Sequence, residues 1–236
     1  MLLDADLHLI NEEFNAECVS PEQLDMLLAD AWRHFGTHFF RYNLGVYENE
    51  IRRVLPLRIR LADLKLSKSQ RRILRKNSDL DVQIQPIEIT YETQDLFDRH
   101  KRRFKYGVPD TIYDFLSLNP ASEPTKGLEV SVRLNDDLLA ASFFDVGKHS
   151  VSSIYGIFEP TETGRSLGIF TMLREIEYSI ETGKEYYYPG YAYEGESFYD
   201  YKKRFSSLEV FDWNGNWNEF SPQRHEGHEA HEDKQV

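Results

Sequence analysis

The first strong pattern of apolar residues along the chain is helical. Ser20, Pro21 and Gln23 form a helix start with a capping box, and Gly36 can end a helix in the left-handed conformation. Between these signals the apolar positions recur three and four residues apart, at Leu24, Leu27, Leu28, Ala31 and Phe35. The pattern predicts an amphipathic helix that starts after Ser20 and stops at Gly36.

A period of two replaces the helical period in several later segments. Residues 51–61, IRRVLPLRIRL, alternate between apolar and basic positions from Leu55 onward and predict a strand, in which Pro56 favours a sheet edge because it lacks an N–H. Another strand is predicted from Val82 to Ile89. Three apolar runs separated by polar turns then predict an antiparallel meander: LEVSVRL, LLAASFFDV and SVSSIYGIF.

Two predicted helices between these strands are rich in basic residues. A capping box begins at Ser67 and opens the segment KSQRRILRKN, which we expect to end near Asn77. A second basic helix is predicted from Thr93 to Phe104. Cations at the end of a helix complement its dipole, so these residues have a structural explanation as well as a binding one.

The part of the chain after the meander again mixes helix and strand. An amphipathic helix is expected from about 167 to 182, with Glu175 and Glu177 exposed to solvent. A short strand, EYYYPGY, should follow and be broken at its Pro-Gly pair. A helical stretch, FYDYKKRF, and a hairpin, LEVFDWNGNW, complete the ordered part.

These elements place the chain in the α/β class, with a mixed, largely antiparallel sheet flanked by helices. Its 236 residues, 40% hydrophobic and 29% charged, exclude disordered, collagen-like and coiled-coil proteins and allow one domain or a fused pair. We expect residues 1–80 to form an N-terminal region with a helix, a strand and a basic helix. Residues 81–220 should form the main domain, and 221–236 a disordered, acidic, His-rich tail.

Cysteine and histidine usage argues against a metal site. The lone Cys18 excludes an internal disulfide framework and sites with several thiolates, and we expect its side chain to be buried. His225, His228 and His231 lie in the predicted tail without a fixed scaffold, so no metal site is predicted. No apolar run reaches the roughly 18 residues of a membrane span, and the start lacks a basic segment before an apolar one. We therefore expect no membrane contact and a cytoplasmic protein.

Charge is distributed unevenly along the chain. The net charge is −12, yet residues 52–105 hold 15 Lys and Arg against 7 Asp and Glu, a local net charge of +8. Such polarity fits a basic groove for an anionic ligand on an acidic, soluble body. On charge alone, solvated helix faces explain it equally well.

The turn before the long helix carries a motif for anion binding. Arg165, Ser166 and Gly168 open this helix directly after the meander, where free N–H groups and the helix dipole favour an anion. The order of elements approximates the acyl-donor site of the N-acetyltransferase-like (GNAT) fold. Phe170 occupies the last small position of that fold's pattern, which disfavours acetyl-coenzyme A.

Four ordered blocks together resemble the aminoacyl-tRNA–protein transferases, the family of arginyltransferases and bacterial leucyltransferases. They are LPLRIRLADLKLSKSQRRILRKN, SSIYGIFEP, SLGIFTMLREIEYSIETGKEYYYPGY and FYDYKKRF, within residues 42–217. The resemblance implies a GNAT-like transferase domain in residues 81–220. It also implies transfer of arginine or leucine from charged tRNA to the N-terminal residue of a protein, as in N-end rule degradation.

The chain departs from that family pattern in three places. Members typically carry an N-terminal cysteine cluster, whereas the corresponding FRYNLGVYENEIRRVLPLRIRL has none. Pro189 replaces the usual apolar residue before Gly190. The segment FYDYKKRF is a loose version of the family's K-M-x-Y-K segment and keeps Tyr201 and Lys202.

The candidate binding residues follow from these blocks. Guanidinium groups suit phosphates of the tRNA and an acidic N-terminal side chain, and Asn77 either binds a ligand or only caps its helix. Tyr201 and Lys202 would close the pocket or form a solvated helix face. The full set of predicted substrate- or tRNA-binding residues is Arg71, Arg72, Arg75, Asn77, Arg165, Gly168, Gly190, Tyr201 and Lys202.

Three residues are candidates for direct catalysis. Tyr188 and Tyr191 could stack a terminal base or relay a proton, although clustered tyrosines are also typical of sheet packing. Ser166 could act as a nucleophile, and an N-cap role explains it better. Aminolysis of an activated ester needs mainly positioning, so no cofactor beyond aminoacyl-tRNA is expected.

Charged tRNA and a protein N-terminus are therefore the predicted partners. Two other functions stay open from the sequence. One is a non-catalytic GNAT-fold module that binds acidic N-termini or RNA, which the missing cysteines favour. The other is an N-acyltransferase that uses acyl-coenzyme A.

Overall fold

The computed structural model describes residues 8–105 and 107–220 and contains four α-helices and twelve strands in that part of the chain. The helices are α1 (Pro21–Ala29), α2 (Lys68–Lys76), α3 (Tyr91–Lys101) and α4 (Leu167–Glu181). The strands are β1 (Asn11–Asn15), β2 (Arg33–Phe35), β3 (His38–Tyr42), β4 (Leu44–Tyr47), β5 (Glu50–Arg60), β6 (Asp81–Pro86), β7 (Gly127–Leu134), β8 (Asp137–Val146), β9 (Ser150–Phe158), β10 (Tyr186–Tyr193), β11 (Leu208–Phe211) and β12 (Trp217–Glu219). Short 3₁₀ helices cover Leu61–Asp63, Ile112–Asp114, Thr163–Arg165 and Phe198–Arg204.

The strands form two sheets of unequal size. The small sheet has the order β1-β3-β2, and the large sheet has the order β12-β11-β5-β10-β9-β8-β7-β6, with β4 paired to β5. Every pair is antiparallel except β9 with β10, which are joined through α4. The predicted α/β class with a mixed, largely antiparallel sheet is confirmed, and so is the meander β7-β8-β9.

Neighbouring residues of a strand point to opposite faces of a sheet, and both faces of the large sheet are buried in a core. Phe144 of β8 lies in the core beneath α4, together with Leu173 and Ile176 of that helix. The adjacent Phe143 lies in a second core with Phe97 of α3. This two-sided burial explains why the meander strands read as continuous apolar runs.

The helix starts and the final hairpin follow the sequence closely. Capping boxes are present at Ser20 and at Ser67, and α2 ends with Asn77 as its C-cap. The segment FYDYKKRF is a 3₁₀ helix, and β11 and β12 form the predicted hairpin with Gly215 at φ +95°. Local hydrogen bonds determine these features, so the sequence suffices to place them.

Two expectations about the N-terminal segment were wrong. The first helix ends at Ala29 instead of Gly36, because Ala31 adopts φ +62° and residues 33–35 pair as a strand. Gly36 instead takes φ +51° in the turn between β2 and β3. Cys18 is exposed, since it lies between β1 and α1 and the chain buries the next residue, Val19.

Two expectations about prolines were also wrong. Pro189 and Gly190 do not break β10, which continues as a strand with a shift of register towards β5 at this point. Pro56 lies in an interior strand, opposite Tyr191 and just beyond the residues of β5 that pair with β11. The irregular pairing at this point accommodates a residue without an N–H.

The N-terminal elements are integrated with the rest of the protein. Strand β5 lies between β11 and β10, so residues before and after position 80 share one sheet and one core. Residues 8–105 and 107–220 include no helix that could span a membrane. The three tail histidines His225, His228 and His231 lie outside the described residues.

A buried pair of side chains joins the small sheet to the large one. His34 of β2 is hydrogen-bonded through Nε2 to Oδ2 of Asp145 at 2.7 Å, and its Nδ1 lies 2.8 Å from the carbonyl oxygen of Gly36. The side chains of His34 and Asp145 are 3% and 2% exposed. Both ring nitrogens therefore have an oxygen partner within hydrogen-bond distance. This pair fixes β2 beside the end of β8.

Asp145→Ala should destabilise the protein by about 3–5 kcal/mol, because it leaves a polar ring buried without its partner. Urea denaturation measures the loss. A matched control is Glu13→Ala, which removes the partner of His38 in an exposed pair and should cost less than about 1 kcal/mol. Equal losses for the two variants would show that the buried pair does not hold the two sheets together.

Candidate functional site

The two parallel strands of the large sheet separate soon after they meet. Their pairing covers only Ser150–Ser152 of β9 and Tyr186–Tyr188 of β10, although β9 continues to Phe158. We call the space between them beyond these residues the fork. Because β10 no longer pairs with β9 there, the ladder to β10 uses none of the backbone groups of β9 beyond Ser152.

Arg33 of β2 reaches into the start of the fork. Its Nη1 donates to Oγ of Ser152 at 2.8 Å, and its Nη2 donates to the carbonyl oxygen of Ser153. Burial lowers the pKa of the Arg33 guanidinium from its usual value. Within residues 8–105 and 107–220, no carboxylate oxygen lies within 4.0 Å of this guanidinium.

Lys202 approaches the same point from the 3₁₀ helix 198–204. Its Nζ donates to the carbonyl oxygen of Tyr191 at 3.1 Å and lies 5.1 Å from the centre of the Tyr199 ring. Burial, and secondarily the nearby charge of Arg33, lowers the pKa of Lys202 to about 7. The amine therefore changes its charge near neutral pH.

Gly190 provides the space in which the two cations meet. A Cβ at this position would lie 3.1 Å from Nζ of Lys202 and 3.7 Å from Nη2 of Arg33. Gly190 also has φ +97°, which larger residues rarely adopt. We call the space bounded by these three residues the cationic recess. Arg33 and Lys202 are both partly exposed, whereas Gly190 is buried.

Aromatic residues line the fork on the side of α3. Tyr155 of β9 stacks on Phe115 with ring centres 3.8 Å apart, and its buried hydroxyl has no hydrogen-bond partner in the described part of the chain. Burial raises the pKa of Tyr155 and of Tyr201 above their usual value. Both hydroxyls therefore stay protonated at neutral pH and can donate a hydrogen bond.

Beneath the fork, α4 contributes a carboxyl group to the core. The hydroxyl of Tyr187 donates to Oε2 of Glu175 at 2.7 Å, whereas Oε1 has no partner among the described residues. Burial raises the pKa of Glu175 to about 7. The expectation that Glu175 is a solvent-exposed charge was wrong, because it lies on the face of α4 that packs against the sheet.

The predicted cations of α2 form a separate surface. Arg71, Arg72 and Arg75 are exposed, and none has a carboxylate partner within 4.0 Å in residues 8–105 and 107–220. Nη1 of Arg71 donates to the carbonyl oxygen of Leu66 at 2.5 Å, which leaves its other donors free. Lys76 extends this surface towards the loop before α4, since its Nζ lies 3.5 Å from the Cβ position of Gly164.

Asn77 and Arg165 connect α2 to the start of α4. Nδ2 of Asn77 donates to the carbonyl oxygens of Ile73 at 3.0 Å and Arg165 at 2.9 Å. The guanidinium of Arg165 makes two bonds of 2.9 Å to Asp79, which are the main reason that its pKa is raised. Asn77 therefore joins two elements as well as capping α2, and Arg165 is already paired with a carboxylate.

Ser166 and Gly168 lie at the open end of the fork. Ser166 adopts φ +54° at the N-cap position of α4, and its side chain makes no capping bond, contrary to the expectation. A Cβ on Gly168 would lie 3.0 Å from the ring of Phe158 at the end of β9, so glycine permits this close packing. The guanidinium carbon of Arg103 lies 4.3 Å from the centre of the same Phe158 ring.

The two candidate tyrosines of β10 have different surroundings. Tyr188 is 4% exposed and packs with Leu24 and Leu28 of α1. The hydroxyl of Tyr191 donates to the carbonyl oxygen of Ala31 at 2.5 Å, while its own carbonyl oxygen binds Lys202. Tyr191 thus positions Lys202 through its backbone.

The structure therefore brings together Gly190, Tyr191, Tyr201 and Lys202 and places the cations of α2 on a neighbouring surface. Sequence reasoning missed Arg33, Tyr155 and Glu175, all of which lie at the fork or beneath it. Arg33 stands in the aromatic segment WRHF, and a charge among large rings was the only local signal for it. The fork itself arises from strands that are distant in sequence.

Comparisons with known proteins agree on one family. The model of the family described as arginine-tRNA-protein transferase, C terminus, matches residues 92–212. A protein named aspartate/glutamate leucyltransferase from Helicobacter hepaticus is 27% identical over 202 residues, covering 84% of this chain and 82% of that protein. A protein of the same name from Xanthomonas euvesicatoria is 33% identical over 176 residues, covering 70% of each.

Solved structures resemble the chain more distantly. The structure of L-PGS from Bacillus licheniformis has a TM-score of 0.49 and 10% sequence identity, covering 68% of this chain and 60% of that one.

Lys202→Met should stabilise the protein at pH 7 by about 1 kcal/mol or more, because it removes a charge that the fold holds without a carboxylate partner. The folded protein binds fewer protons at Lys202 than the unfolded chain between about pH 7 and 10.5, so its stability rises with pH there. The advantage of Lys202→Met should therefore shrink from pH 7 to pH 10.

Chemical denaturation across this pH range provides the measurement. Lys203→Met is the matched control, because Lys203 pairs with Asp200 at 2.8 Å on the same 3₁₀ helix. A destabilised Lys202→Met with no dependence on pH would contradict the assignment of an uncompensated charge.

Proposed function

The chain belongs to the arginine-tRNA-protein transferase family, and we propose that it transfers leucine from leucyl-tRNA to the N-terminal aspartate or glutamate of an acceptor protein. Family membership makes the chain an aminoacyltransferase, so the resemblance and the enzyme class expected from the sequence are confirmed. Its substrates are a charged tRNA and a protein, and a role in N-end rule degradation fits the family.

The choice of leucine rests on one observation. The relatives that match 66–82% of their own length, at 27–34% identity, carry the name aspartate/glutamate leucyltransferase. Arginine, which the sequence left equally open, is supported only by the description of the family model. The same names support aspartate and glutamate as the acceptor residues.

The two functions that stayed open from the sequence have less support. A non-catalytic module has less support because the relatives that match most of this chain are named as transferases. Transfer from acyl-coenzyme A is disfavoured by Phe170, which is 2% exposed and fills the core at the start of α4. We further propose that aminoacyl-tRNA is the only co-substrate and that no cofactor takes part.

Helix α2 is the proposed docking surface for the tRNA. Its five exposed cations, Lys68, Arg71, Arg72, Arg75 and Lys76, suit a phosphate backbone, and the rest of the protein is acidic enough to repel one. The bonds between Asn77 and Arg165 hold α2 beside the start of α4. Phosphates bound on α2 would therefore place the 3′ end of the tRNA near the open end of the fork.

The reaction needs an acceptor amine and an ester carbonyl held close together. The neutral α-amine attacks the carbonyl carbon of the leucyl ester, a C–N bond forms, the C–O bond to the ribose breaks, and the amine proton passes to the leaving oxygen. Backbone N–H groups of β9 beyond Ser152, where the ladder to β10 has ended, could stabilise the developing oxyanion. The unpartnered hydroxyl of Tyr155 is placed to relay the proton.

Of the catalytic candidates predicted from the sequence, Tyr191 has the best-supported role, which is to position Lys202. Tyr188 packs in the core of α1, and Ser166 lies at the start of α4, where a hydroxyl could bind the tRNA terminus. An activated ester requires little further help, since positioning alone can supply several powers of ten in rate.

A transfer assay should show radiolabelled leucine moving from leucyl-tRNA to peptides that begin with Asp or Glu, but not to peptides that begin with a neutral residue. Arginyl-tRNA should serve as a donor at least about tenfold less well, because one side-chain pocket discriminates by that order. Label from arginyl-tRNA alone would replace leucine by arginine. Absence of label from both donors, with folded protein, would overturn the proposed transfer.

Charge reversal on α2, as Arg71→Glu with Arg75→Glu, should weaken leucyl-tRNA binding by about tenfold or more near 0.1 M salt. The slope of log affinity against log salt should become shallower by about 2, one for each lost phosphate contact. Filter binding across salt concentrations measures both quantities.

Lys126→Glu provides the control, because Lys126 is an exposed cation before β7, at the end of the sheet opposite the open fork. Unchanged affinity and salt slope in the α2 variant, with a normal melting curve, would show that the tRNA docks elsewhere.

A further inference from the structure

The cationic recess holds more positive charge and more hydrogen-bond donors than the protein uses. A guanidinium has five N–H donors and an ammonium has three. Arg33 donates to Ser152 and Ser153, and Lys202 donates to Tyr191. Several donors of both side chains therefore remain available at the point that Gly190 leaves open.

Several other partly buried cations of the described chain have carboxylate partners. Arg58 bonds to Glu209 at 2.6 Å, Arg133 to Glu92 at 2.6 Å, and Arg165 to Asp79 at 2.9 Å. Arg103, which lies over the ring of Phe158, and Lys184, which donates to backbone carbonyl oxygens, are exceptions. Enclosing a charge without such a partner is strongly unfavourable. Asp145 attracts the Arg33 guanidinium at longer range, but among the described residues no carboxylate contacts Arg33 or Lys202. The donors left at the recess therefore suit an anion from outside the chain.

We propose that Arg33 and Lys202 together bind the side-chain carboxylate of the acceptor's N-terminal aspartate or glutamate, and that this contact selects acidic acceptors. The inference rests on the proposed function. It identifies Arg33 and Lys202 as the residues that recognise the acceptor side chain. Arg33 comes from the small N-terminal sheet.

The position of the recess favours the acceptor over a tRNA phosphate. Exposed cations for phosphates are already present on α2, whereas the recess lies between β2, β10 and the 3₁₀ helix 198–204 and is only partly exposed. A single side chain can enter such a space more easily than a hydrated phosphate backbone. The planar fork of Arg33 also suits two carboxylate oxygens at once.

The same contact would place the reacting amine correctly. In an N-terminal aspartate, two carbon atoms separate the α-amine from the carboxylate carbon, and glutamate adds one more. Arg33 is bonded to Ser152 and Ser153, where β9 loses its pairing with β10. A carboxylate held by Arg33 therefore puts the α-amine beside the free edge of β9, where we place the ester carbonyl.

The test compares Arg33→Met and Lys202→Met with the wild type in leucine transfer to four peptides that differ only in a first residue of Asp, Glu, Asn or Gln. We expect the ratio of kcat/KM for Asp over Asn, and for Glu over Gln, to fall at least about tenfold in both variants. The KM for leucyl-tRNA should stay within about twofold. Arg33→Lys, which keeps the charge, should retain part of the selectivity.

Arg41→Met is the matched control, since Arg41 belongs to the same small sheet and is also partly buried, but it is paired with Glu12 and Asp30. It should leave the selectivity ratios unchanged. A merely structural role of Arg33 would lower transfer to all four peptides in proportion, which overturns the proposal. So does a loss of leucyl-tRNA affinity with intact selectivity, because it would put a phosphate in the recess.

Peptide binding without tRNA separates this proposal from the proposed function. Fluorescence anisotropy of a labelled Asp-start peptide should show binding to the wild type and to Arg41→Met, and at least about tenfold weaker binding to Arg33→Met. If the wild type binds this peptide selectively over its Asn-start counterpart but transfers neither leucine nor arginine, the recess assignment stands and the transferase proposal fails. The wild type could instead transfer leucine with no preference for the Asp-start peptide in either binding or kcat/KM. In that case the recess assignment fails and the transferase proposal stands.

Discussion

The short pairing between β9 and β10 is the constraint on which the site depends. Three residues on each strand form the only parallel contact of the large sheet, and β10 then shifts its register with β5 at Gly190. A complete parallel ladder would satisfy the backbone of β9 and close the space between the strands. Because the ladder stops, one edge of a central strand is left without a neighbouring strand in the middle of an otherwise well-packed sheet.

At the fork and beneath it, polar groups are buried, and burying them is energetically unfavourable. Arg33 and Lys202 are enclosed without a carboxylate partner, and the carboxyl group of Glu175 is buried with one oxygen unpaired in the described chain. Burial shifts the pKa values of Lys202 and Glu175 to about 7, in opposite directions from their usual values. Groups of this kind cluster at functional sites, since a fold without a ligand to bind would gain stability by replacing them.

The protein has a negative net charge and carries two positive surfaces that suit different ligands. The exposed cations of α2 suit a long polyanion, and the enclosed cations of the recess suit one small anion. On a chain with a net charge of −12, the exposed cations of α2 are the surface on which we propose that the tRNA docks. The connection from α2 through Asn77 to the start of α4 sets how far apart the two anions are held.

The sequence alone determined the class of fold, the meander, both capping boxes, the final hairpin and the family resemblance. These features depend on local hydrogen bonds, on the periodicity of apolar side chains along the chain and on the order of residues in the motifs. It also located the basic helix and the segment with Gly190, Tyr201 and Lys202. It did not reveal that β2 carries Arg33 into the site, that Pro56 lies inside the sheet, or that Glu175 is buried. The first two features depend on contacts between residues more than a hundred positions apart, such as Arg33 with Ser152. Glu175 is buried because α4 packs this face against the sheet, where Tyr187 bonds to it. Only the tertiary structure decides which strands are neighbours, and therefore which charges are enclosed.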